Sequence, residues 1–476
     1  MVSAVQAIYH ELVVFAAVCF LLSSLDELVI DALYVWARVT GRTRHPVPPA
    51  CLLETGGGAL APLPEAAAPG RAMHPPAAVL VPAWDEALVI GATIRHMRAA
   101  WSDERPVIFV GCYANDPATV AAARTAGMGD GPEVRLVRLE RAGPTSKADC
   151  LNHLFAALCA HEAERGERFG FVVLHDAEDM VDPAALTVMR DALARCDFVQ
   201  LPVLALPQAQ SRWIAGHYCD EFAEAHAKTM VVRDALGAAL PAAGVGCAIG
   251  RTMLDRLAET HPGHGPFGAG SLVEDYECGL EIARLGGRSR FVRVRRADGR
   301  LVATRAYFPA TLTAAVRQKT RWTHGIAFQG WDRIGWPGRL RDRYMLARDR
   351  RGPLGAGLLA LAYGLLVLTG AGLVLREAGL VPPLSLTPGM RVLLTVNGAF
   401  LLWRAALRAM FTAREHGWRE GVRAIGRIVI ANIIAIMSAR RALAAYLRAL
   451  RGGEVRWDKT EHTHHPASLL PLRQAA

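Results

Sequence analysis

Residues 169–179 read FGFVVLHDAED, an apolar run that ends in three carboxylates within four positions. Similar apolar runs occur at four further places: 77–84, 106–113, 133–139 and 198–206. Helical patterns lie between these runs, at 86–101, 116–127, 147–163 and 183–195. Continuously apolar runs predict strands that are buried on both faces, and their alternation with helices predicts an α/β domain with a mostly parallel sheet. Ligands bind beyond the carboxyl ends of the strands in such sheets, so the carboxylates after the run lie where a site is expected.

Both ends of the chain are apolar enough to enter a membrane. The segment Leu12–Leu25 carries no charge, and Leu354–Leu375 runs for 22 residues without one. Val392–Trp403 forms a third span if the arginines at its ends reach the interface. Because a spanning helix needs about 20 apolar residues, we predict an anchor within residues 1–36 and two transmembrane helices within residues 354–411.

A fourth apolar run, Ile428–Met437, has only ten residues and is flanked by arginines. We predict that the helix around it, residues 421–451, lies in the membrane interface, and a short fourth span is the alternative. Arginines cluster after the third span and around residues 440–451. Placing both clusters in the cytoplasm requires three spans, an external N-terminus and a cytoplasmic domain at 77–335.

Two segments outside these units have the composition of connectors. Residues 43–75 are rich in Pro, Gly and Ala, which predicts a mobile linker between the anchor and the domain. The tail at 452–476 carries His462, His464 and His465. We expect a frayed end there, with a metal site as the alternative.

The composition limits the classes of function. Of 476 residues, 52% are hydrophobic and 21% are charged, which excludes a disordered chain. The formal net charge of +10 is typical of proteins that meet nucleic acid, a membrane surface or phosphorylated substrates. No helix-turn-helix, zinc-finger or RRM pattern supports the first of these, so we predict no nucleic-acid partner. The nine cysteines include no C-x-x-C pair, which argues against a zinc ribbon or a disulfide framework.

The first predicted strand runs into Pro82-Ala83-Trp84-Asp85-Glu86 at the start of a helix. Its two carboxylates can accept hydrogen bonds from the base or ribose of a nucleotide. An ordinary helix cap is the alternative, because aspartate is a favoured cap residue.

After the fourth predicted strand, the spacing Asp176-Ala177-Glu178 lets alternate side chains reach the same ion. The neighbouring carboxylates repel one another and need a counter-charge. A divalent cation with oxygen ligands fits this need and typically bridges a protein to a diphosphate. A solvated loop is the alternative.

Lys147 opens a predicted helix, where the helix dipole disfavours a cation. The position is favourable if the lysine and the first helical amides together hold an anion. Further along, Glu274 and Asp275 precede an amphipathic helix, and a cluster of acidic capping residues is the alternative to a site there.

The motif Gln318-Lys319-Thr320-Arg321-Trp322 lies shortly before the second apolar span. Arginine can bind phosphate, and tryptophan can stack on a sugar or an aromatic ring. A basic interfacial helix with aromatic anchors is the alternative, and both interpretations can hold together.

Taken in order, these segments resemble the motifs of family 2 glycosyltransferases with a GT-A fold. That family shows PA-x-[ND]-E, K-A-x-x-x-N, D-x-D-like, E-D and Q-x-x-R-W motifs. The corresponding segments here are Pro82-Ala83-Trp84-Asp85-Glu86, Lys147-Ala148-…-Asn152, Asp176-Ala177-Glu178, Glu274-Asp275 and Gln318-…-Arg321-Trp322. The segments VPAWDE, GPTSKADCLN, LHDAEDM and YFPATLTAAVRQKTRW resemble the bacteriophage adsorption protein B (NfrB-type) subfamily of membrane glycosyltransferases. One departure is the second strand, where VGCYAND at 110–116 stands in place of the D-D-G-S-type segment whose aspartate usually contacts the base.

The resemblance implies a role for each matched residue. It assigns the nucleotide donor to Pro82, Asp85, Glu86, Lys147 and Asp176, and a Mg²⁺ or Mn²⁺ cofactor to Asp176 and Glu178. It makes Asp275 the general base with Glu274 beside it. It assigns the diphosphate and the acceptor end to Gln318, Arg321 and Trp322.

The implied activity is an inverting hexosyl- or N-acetylhexosaminyltransferase of the bacterial inner membrane. It would use a nucleoside-diphosphate donor, a UDP-sugar, and a lipid or polysaccharide acceptor in envelope or exopolysaccharide synthesis. An outer-membrane or export protein is an implied partner. Two alternatives stay open: a processive polysaccharide synthase that needs a channel partner, and a membrane receptor or scaffold with a decayed transferase domain.

Overall fold

The computed structural model describes residues 2–43, 75–380, 386–453 and 465–468. Nine strands occur in these residues: β1 (Ala77–Pro82), β2 (Val107–Tyr113), β3 (Val134–Leu139), β4 (Phe171–Leu174), β5 (Phe198–Gln200), β6 (Val203–Ala205), β7 (Cys247–Gly250), β8 (Ser289–Phe291) and β9 (Thr304–Ala306). Seven form one sheet in the order β3-β2-β1-β4-β7-β5-β8, and β6 pairs with β9 in a second sheet. Only β7 runs antiparallel to its neighbours. The predicted α/β class with a mostly parallel sheet is therefore confirmed.

Helices cover this sheet and extend from it into the apolar ends of the chain. The first group comprises α1 (Val2–Val39), α2 (Ile90–Ala100), α3 (Pro117–Gly127), α4 (Lys147–Arg165), α5 (Ala185–Leu193), α6 (Ile214–Glu224), α7 (Met230–Ala235) and α8 (Arg251–Glu259). The second comprises α9 (Glu274–Arg284), α10 (Leu312–Thr323), α11 (Gly330–Ile334), α12 (Leu340–Arg350), α13 (Gly352–Glu377), α14 (Pro388–His416) and α15 (Trp418–Ala449). Two π-helical turns, Ala225–Thr229 and His324–Gln329, join α6 to α7 and α10 to α11.

The core lies on both faces of the seven-stranded sheet. In β1, Val79 and Val81 belong to the cluster on one face, and Ala78 and Leu80 belong to the cluster on the other. All four side chains are fully buried. Because successive residues of a strand point to opposite faces, burial on both sides explains why the strand sequences are apolar without alternation.

The predicted strand at 198–206 is the one strand prediction that the structure corrects. The segment divides into β5 and β6, which belong to different sheets. Pro202 lies between them, and proline has a fixed φ and no amide to donate. The chain therefore changes sheets at this residue, and its carbonyl accepts a hydrogen bond from the Thr304 amide of the second sheet (3.0 Å).

Four described helices are long and apolar enough to cross a membrane: Gln6–Val39, Gly352–Glu377, Pro388–His416 and Trp418–Ala449. The first three contain the spans expected from the sequence. The fourth, α15, corresponds to the helix expected at 421–451. Its length and composition permit a crossing, which the sequence analysis treated as the alternative.

Helix α15 packs on α13 and α14 and also contacts the α/β domain at several points along its length. Near its start Arg427 forms an ion pair with Asp220 of α6 (2.7 Å), and near its end the Tyr446 hydroxyl donates to Asp332 of α11 (2.9 Å). Between them, Ile434 packs with α6 and α10. A stripe of exposed apolar side chains lies along the rest of the helix: Trp418, Val422, Ile425, Val429, Ile433, Leu443 and Leu447. This amphipathic arrangement is typical of a helix that lies in a membrane interface.

Ion pairs join the membrane helices to the domain. Lys228 is fully buried and contacts Asp31 of α1 (2.7 Å) and Glu224 of α6 (3.0 Å). The indole of Trp403 on α14 donates to the second oxygen of Asp31 (2.9 Å). Buried ion pairs of this kind are costly to break, so they fix the position of the domain on its helices.

The predicted linker at 43–75 lies outside the described residues apart from its two ends, as do His462 and His464 in the tail. His465 is described, and the expectation of a frayed end is wrong at this residue. Its side chain is only 1% exposed.

Candidate functional site

One cavity at the carboxyl ends of β1 and β4 gathers almost all of the predicted site residues. Its wall includes Pro82, Glu86, Lys147, Asp176, Glu178, Glu274, Asp275, Gln318, Arg321 and Trp322. These residues come from five separate segments of the chain. The sheet brings them together because the ends of parallel strands share one edge.

Asp85 is the one predicted site residue that does not line this cavity. Its φ of 54° turns the chain sharply at the end of β1, and its side chain is exposed. Its amide donates to Asp116 (2.6 Å), which also caps α3 through the Thr119 amide (3.2 Å). The next residue, Glu86, is buried and lines the cavity.

An aromatic pair that the sequence analysis missed forms the wall beside Glu86. The rings of Trp84 and Tyr113 meet edge to face with centroids 5.1 Å apart, and both line the cavity. Tyr113 ends β2, and its hydroxyl hydrogen-bonds with Thr145 (2.6 Å). In the strand that departs from the family pattern, this ring is the side chain that reaches the site.

Lys147 is at the electrostatic centre of the cavity. Its Nζ lies 2.5 Å from Asp176 Oδ1 and 3.4 Å from the Gly244 carbonyl. Burial disfavours the charged ammonium, but Asp176, Asp275 and Glu274 outweigh burial and raise the pKa of Lys147. The lysine therefore stays charged and neutralises part of an acidic cavity.

The loop that carries Asp176 and Glu178 is held from beneath by a buried carboxylate. Asp179 accepts hydrogen bonds from the Asp176 amide (2.9 Å) and from His175 (2.8 Å). This leaves Asp176 and Glu178 facing the cavity. Two carboxylates are a suitable oxygen donor set for Mg²⁺ or Mn²⁺ that is also bound by a diphosphate. Within the described residues, no group of three or more His, Cys, Asp or Glu could hold a metal ion alone.

Glu274 and Asp275 begin α9, and both interact electrostatically with Lys147. Burial, and then the neighbouring Asp275, raise the pKa of Glu274 to about 7. Burial also raises the pKa of Asp275, although Lys147 opposes the shift. Such a pair can hold a proton near neutral pH, which is the property expected of a general base.

A glycine makes room for Asp275. Gly244 has a φ of 76°, and a Cβ atom there would collide with Asp275 Oδ2. A side chain at position 244 would therefore both strain the backbone and displace the carboxylate. The G-x-G at 244–246, whose spacing does not fit a dinucleotide-binding loop, has a structural role in this site.

The helix α10 presents Gln318, Arg321 and Trp322 to the cavity. Gln318 is buried, and its Oε1 accepts no hydrogen bond from any described residue. Lys319 points away and forms an ion pair with Glu221 on α6. Within this motif, Gln318, Arg321 and Trp322 therefore face the cavity, whereas Lys319 anchors the helix to α6.

Beyond Trp322 the cavity becomes apolar. Phe222 and Phe308 line it with ring centroids 4.8 Å apart, and Phe222 meets Trp322 at 6.4 Å. These rings were not predicted from the sequence, because an isolated phenylalanine in a helix or loop has the pattern of an ordinary core residue. The cavity thus has a charged end and an aromatic end.

Comparisons with known proteins agree with this geometry. A family model described as "Glycosyltransferase like family 2" matches residues 75–325. Bacteriophage adsorption protein B of Escherichia coli K12 and bacteriophage N4 adsorption protein B of Escherichia coli O157:H7 are each 33% identical over 430 residues. The matched region covers 84% of this chain and 57% of each relative, so the chain spans little more than half of their length.

Among solved structures, a mannosyltransferase from Pyrobaculum calidifontis, in complex with GDP-Man and Mn²⁺, has a similar fold. The TM-score is 0.52 at 17% identity, over 88% of this chain and 99% of that one. A likeness at this level of identity concerns the fold alone. The structural similarity extends beyond the residues that the family model matches, because it covers most of both chains.

Proposed function

The chain belongs to glycosyltransferase-like family 2, whose model matches residues 75–325 of its 476, and from this premise we propose what the glycosyltransferase transfers and how. The proposal is an inverting transfer of a hexosyl or N-acetylhexosaminyl group from a UDP-sugar. The acceptor is a lipid or polysaccharide at the bacterial inner membrane, in envelope or exopolysaccharide synthesis. One observation carries it: Lys147 contacts Asp176 (2.5 Å) and also interacts electrostatically with Asp275 and Glu274.

The charged end of the cavity suits a nucleoside diphosphate. Lys147 and Arg321 line the cavity and supply positive charge for the diphosphate, and Lys147 is the first residue of α4, whose N-terminus favours an anion. Glu86 and the Trp84–Tyr113 wall are assigned to the nucleoside. Asp85 is left out of this assignment, because its exposed side chain lies outside the cavity.

Asp275 is assigned the general base. Inversion requires a base on the face of the sugar opposite the departing diphosphate. Asp275 takes the proton of the acceptor hydroxyl as the hydroxyl oxygen attacks the anomeric carbon and the bond to the diphosphate breaks. Burial raises the pKa of both carboxyl groups, Asp275 raises that of Glu274 further, and Lys147 opposes both shifts.

The residues that would hold a divalent metal are Asp176 and Glu178. When bound, Mg²⁺ or Mn²⁺ supplies positive charge that stabilises the leaving diphosphate. Gln318 and Arg321 are assigned to the same leaving group. Trp322, with the phenylalanines behind it, offers an aromatic face to the acceptor.

The proposed organisation in the membrane uses the segment boundaries that were predicted from the sequence. Residues 1–36 anchor the chain, 77–335 form the cytoplasmic catalytic domain, and 354–411 contribute two spans. We assign 421–451 to the interface, because α15 contacts the domain from Arg427 to Tyr446. A reporter fused after Ala476 should then score as cytoplasmic, and a periplasmic score would mean that α15 crosses the bilayer.

Transfer can be tested with purified protein and a panel of radiolabelled UDP-sugars. We expect one UDP-hexose or UDP-N-acetylhexosamine to label a lipid or polysaccharide product, with Asp275→Asn as the inactive matched control. Labelling from a GDP-sugar alone would overturn the choice of donor. Failure of calorimetry to detect UDP binding would favour the scaffold alternative.

The length of the product distinguishes the remaining alternative, a processive polysaccharide synthase, from the proposed transferase. A long polymer formed in a single binding event would identify a processive synthase. Such an enzyme needs a channel, and three spans with one interfacial helix would have to be completed by a partner or by further copies. An export or outer-membrane protein is the proposed partner in either case.

A further inference from the structure

The segment 465–468 lies against the catalytic domain, close to the loop that carries the proposed metal-binding carboxylates. His465 and Pro466 are buried, and the short 3₁₀ turn Pro466–Ser468 packs on α2. Within the segment, the Ala467 amide donates to His465 Nδ1 (3.1 Å). This bond fixes the ring orientation and leaves the proton on Nε2.

The ring of His465 faces the peptide group of Asp179. Burial lowers the pKa of His465 to about 4, whereas the Asp179 backbone acts in the opposite direction, as a carbonyl acceptor does. His465 Nε2 is fully buried and makes no well-formed hydrogen bond within the described residues. A neutral ring therefore directs its one N–H group into a buried space beside Asp179.

The backbone of this loop is also held by α2, by the residue that follows α2 and by Arg305 of β9. Thr93 Oγ1 donates to the Ala177 carbonyl, and His96 Nε2 bonds the Val181 carbonyl (2.9 Å). The Trp101 indole donates to the Asp182 carbonyl (3.2 Å). These contacts hold both ends of the segment 177–182. In the middle, the Asp179 amide donates to the Asp176 carbonyl (3.3 Å), and Met180 exchanges two backbone hydrogen bonds with Arg305 (2.8 and 2.9 Å). The Asp179 carbonyl is the backbone group that His465 faces.

The side chain of Asp179 gives this position its importance. It accepts the amide of Asp176, the residue that we assign to metal and diphosphate. A displacement of Asp179 would therefore move Asp176 directly. Groups behind a metal ligand orient it, and their loss typically lowers metal affinity by about 10- to 100-fold.

We infer that His465 is a positioning residue for the Asp176–Glu178 loop and that residues 465–468 form a strap belonging to the donor site. The inference rests on the proposed function, since it assumes that this loop binds a metal-diphosphate group. A polar ring buried at this depth is costly without a partner, whereas leucine would fill the same space without that cost. Packing alone therefore does not account for a histidine at this position.

The test compares His465→Leu, which keeps the bulk but loses the N–H, with His465→Gln, whose amide can reach the position of Nε2. His264→Ala removes an exposed histidine and is the matched control. Affinity for Mn²⁺ with UDP is measured by calorimetry, and backbone hydrogen exchange is followed at 176–182. We expect about tenfold weaker Mn²⁺–UDP binding and faster exchange in this loop for the leucine variant, with most of both effects reversed in the glutamine variant.

Unchanged affinity and exchange in His465→Leu would overturn the inference. If that variant does not fold, Ala467→Pro replaces it, because it removes only the amide that fixes the ring; affinity and exchange equal to wild type would then refute the strap. Absence of Mn²⁺–UDP binding in the wild-type protein would refute the proposed function instead. In that case the exchange data alone still decide whether the strap holds the loop.

Discussion

Replacement of Lys147 by methionine tests the electrostatic logic of the cavity. The ammonium is 2.5 Å from Asp176, one of the two carboxylates proposed for the metal, and its side chain is 15% exposed. It therefore competes with a divalent cation for the same oxygen. We expect Lys147→Met to weaken binding of a nucleoside diphosphate and, at the same time, to strengthen binding of Mn²⁺ alone.

The size of the second effect follows from the charges. Two unit charges about 4 Å apart interact by about 1 kcal/mol in water, so a divalent ion gains about 2 kcal/mol when the ammonium is removed. This corresponds to about 30-fold tighter binding. The enclosed position of Lys147 increases the interaction, whereas proton uptake by the freed carboxylates reduces the gain. We therefore take tenfold tighter binding of Mn²⁺ alone as the smallest increase that supports the prediction.

The assay titrates detergent-solubilised protein with Mn²⁺ and follows the free ion by electron paramagnetic resonance, with and without UDP. Arg141→Met is the control, because it removes one positive charge from an exposed position outside the cavity. In the wild-type protein UDP should increase the affinity for Mn²⁺, and in Lys147→Met this increase should shrink. Equal or weaker binding of Mn²⁺ alone by the methionine variant would refute the reasoning.

Three further predictions concern turnover. Asp275→Asn should bind UDP-sugar nearly as well as wild type but turn over about 10²–10⁴ times more slowly. Asp176→Asn should lose metal-dependent affinity for the donor as well as turnover. Near-normal transfer by Asp275→Asn would refute the assignment of Asp275 as the general base. Burial raises the pKa of Asp275, and burial together with the neighbouring Asp275 raises the pKa of Glu274 to about 7. Turnover should therefore fall with decreasing pH as these carboxylates take up protons, and a rate independent of pH between 5.5 and 8 (roughly one unit either side of the pKa of Glu274) would contradict the assignment. Chelation with EDTA should abolish transfer and added Mn²⁺ should restore it; undiminished turnover in excess EDTA would remove the metal from the mechanism.

The strands were predictable because their burial on both faces leaves a strong signal in the sequence. The division at Pro202 was not predicted, although proline is a known strand breaker. The apolar residues on both sides of it read as one run, and only the pairing partners show that they belong to two sheets. The antiparallel β7 was missed for a similar reason, because four residues between a glycine-containing loop and the start of α8 give little periodicity.

The charged part of the site was predictable from the positions of its residues at the ends of apolar runs. The aromatic part was not, because Tyr113, Phe222 and Phe308 have the sequence pattern of core residues. Whether such a ring faces the core or a cavity depends on elements far away in the chain. Asp85 shows the opposite error: its motif position predicts a ligand, but a positive φ turns the chain there and leaves the side chain outside.

The position of the Gln-x-x-Arg-Trp motif directly before the membrane helices has a mechanical consequence. Gln318, Arg321 and Trp322 of α10 line the cavity, and Ala315 and Val316 of the same helix pack with Tyr218 and with Ile434 of α15. Ser438 of α15 also donates to the Val316 carbonyl (3.3 Å). Because packed helices move together, a shift of α15 would displace the residues assigned to the diphosphate and the acceptor. The packing therefore couples the position of the residues that α10 presents to the cavity to the position of α15.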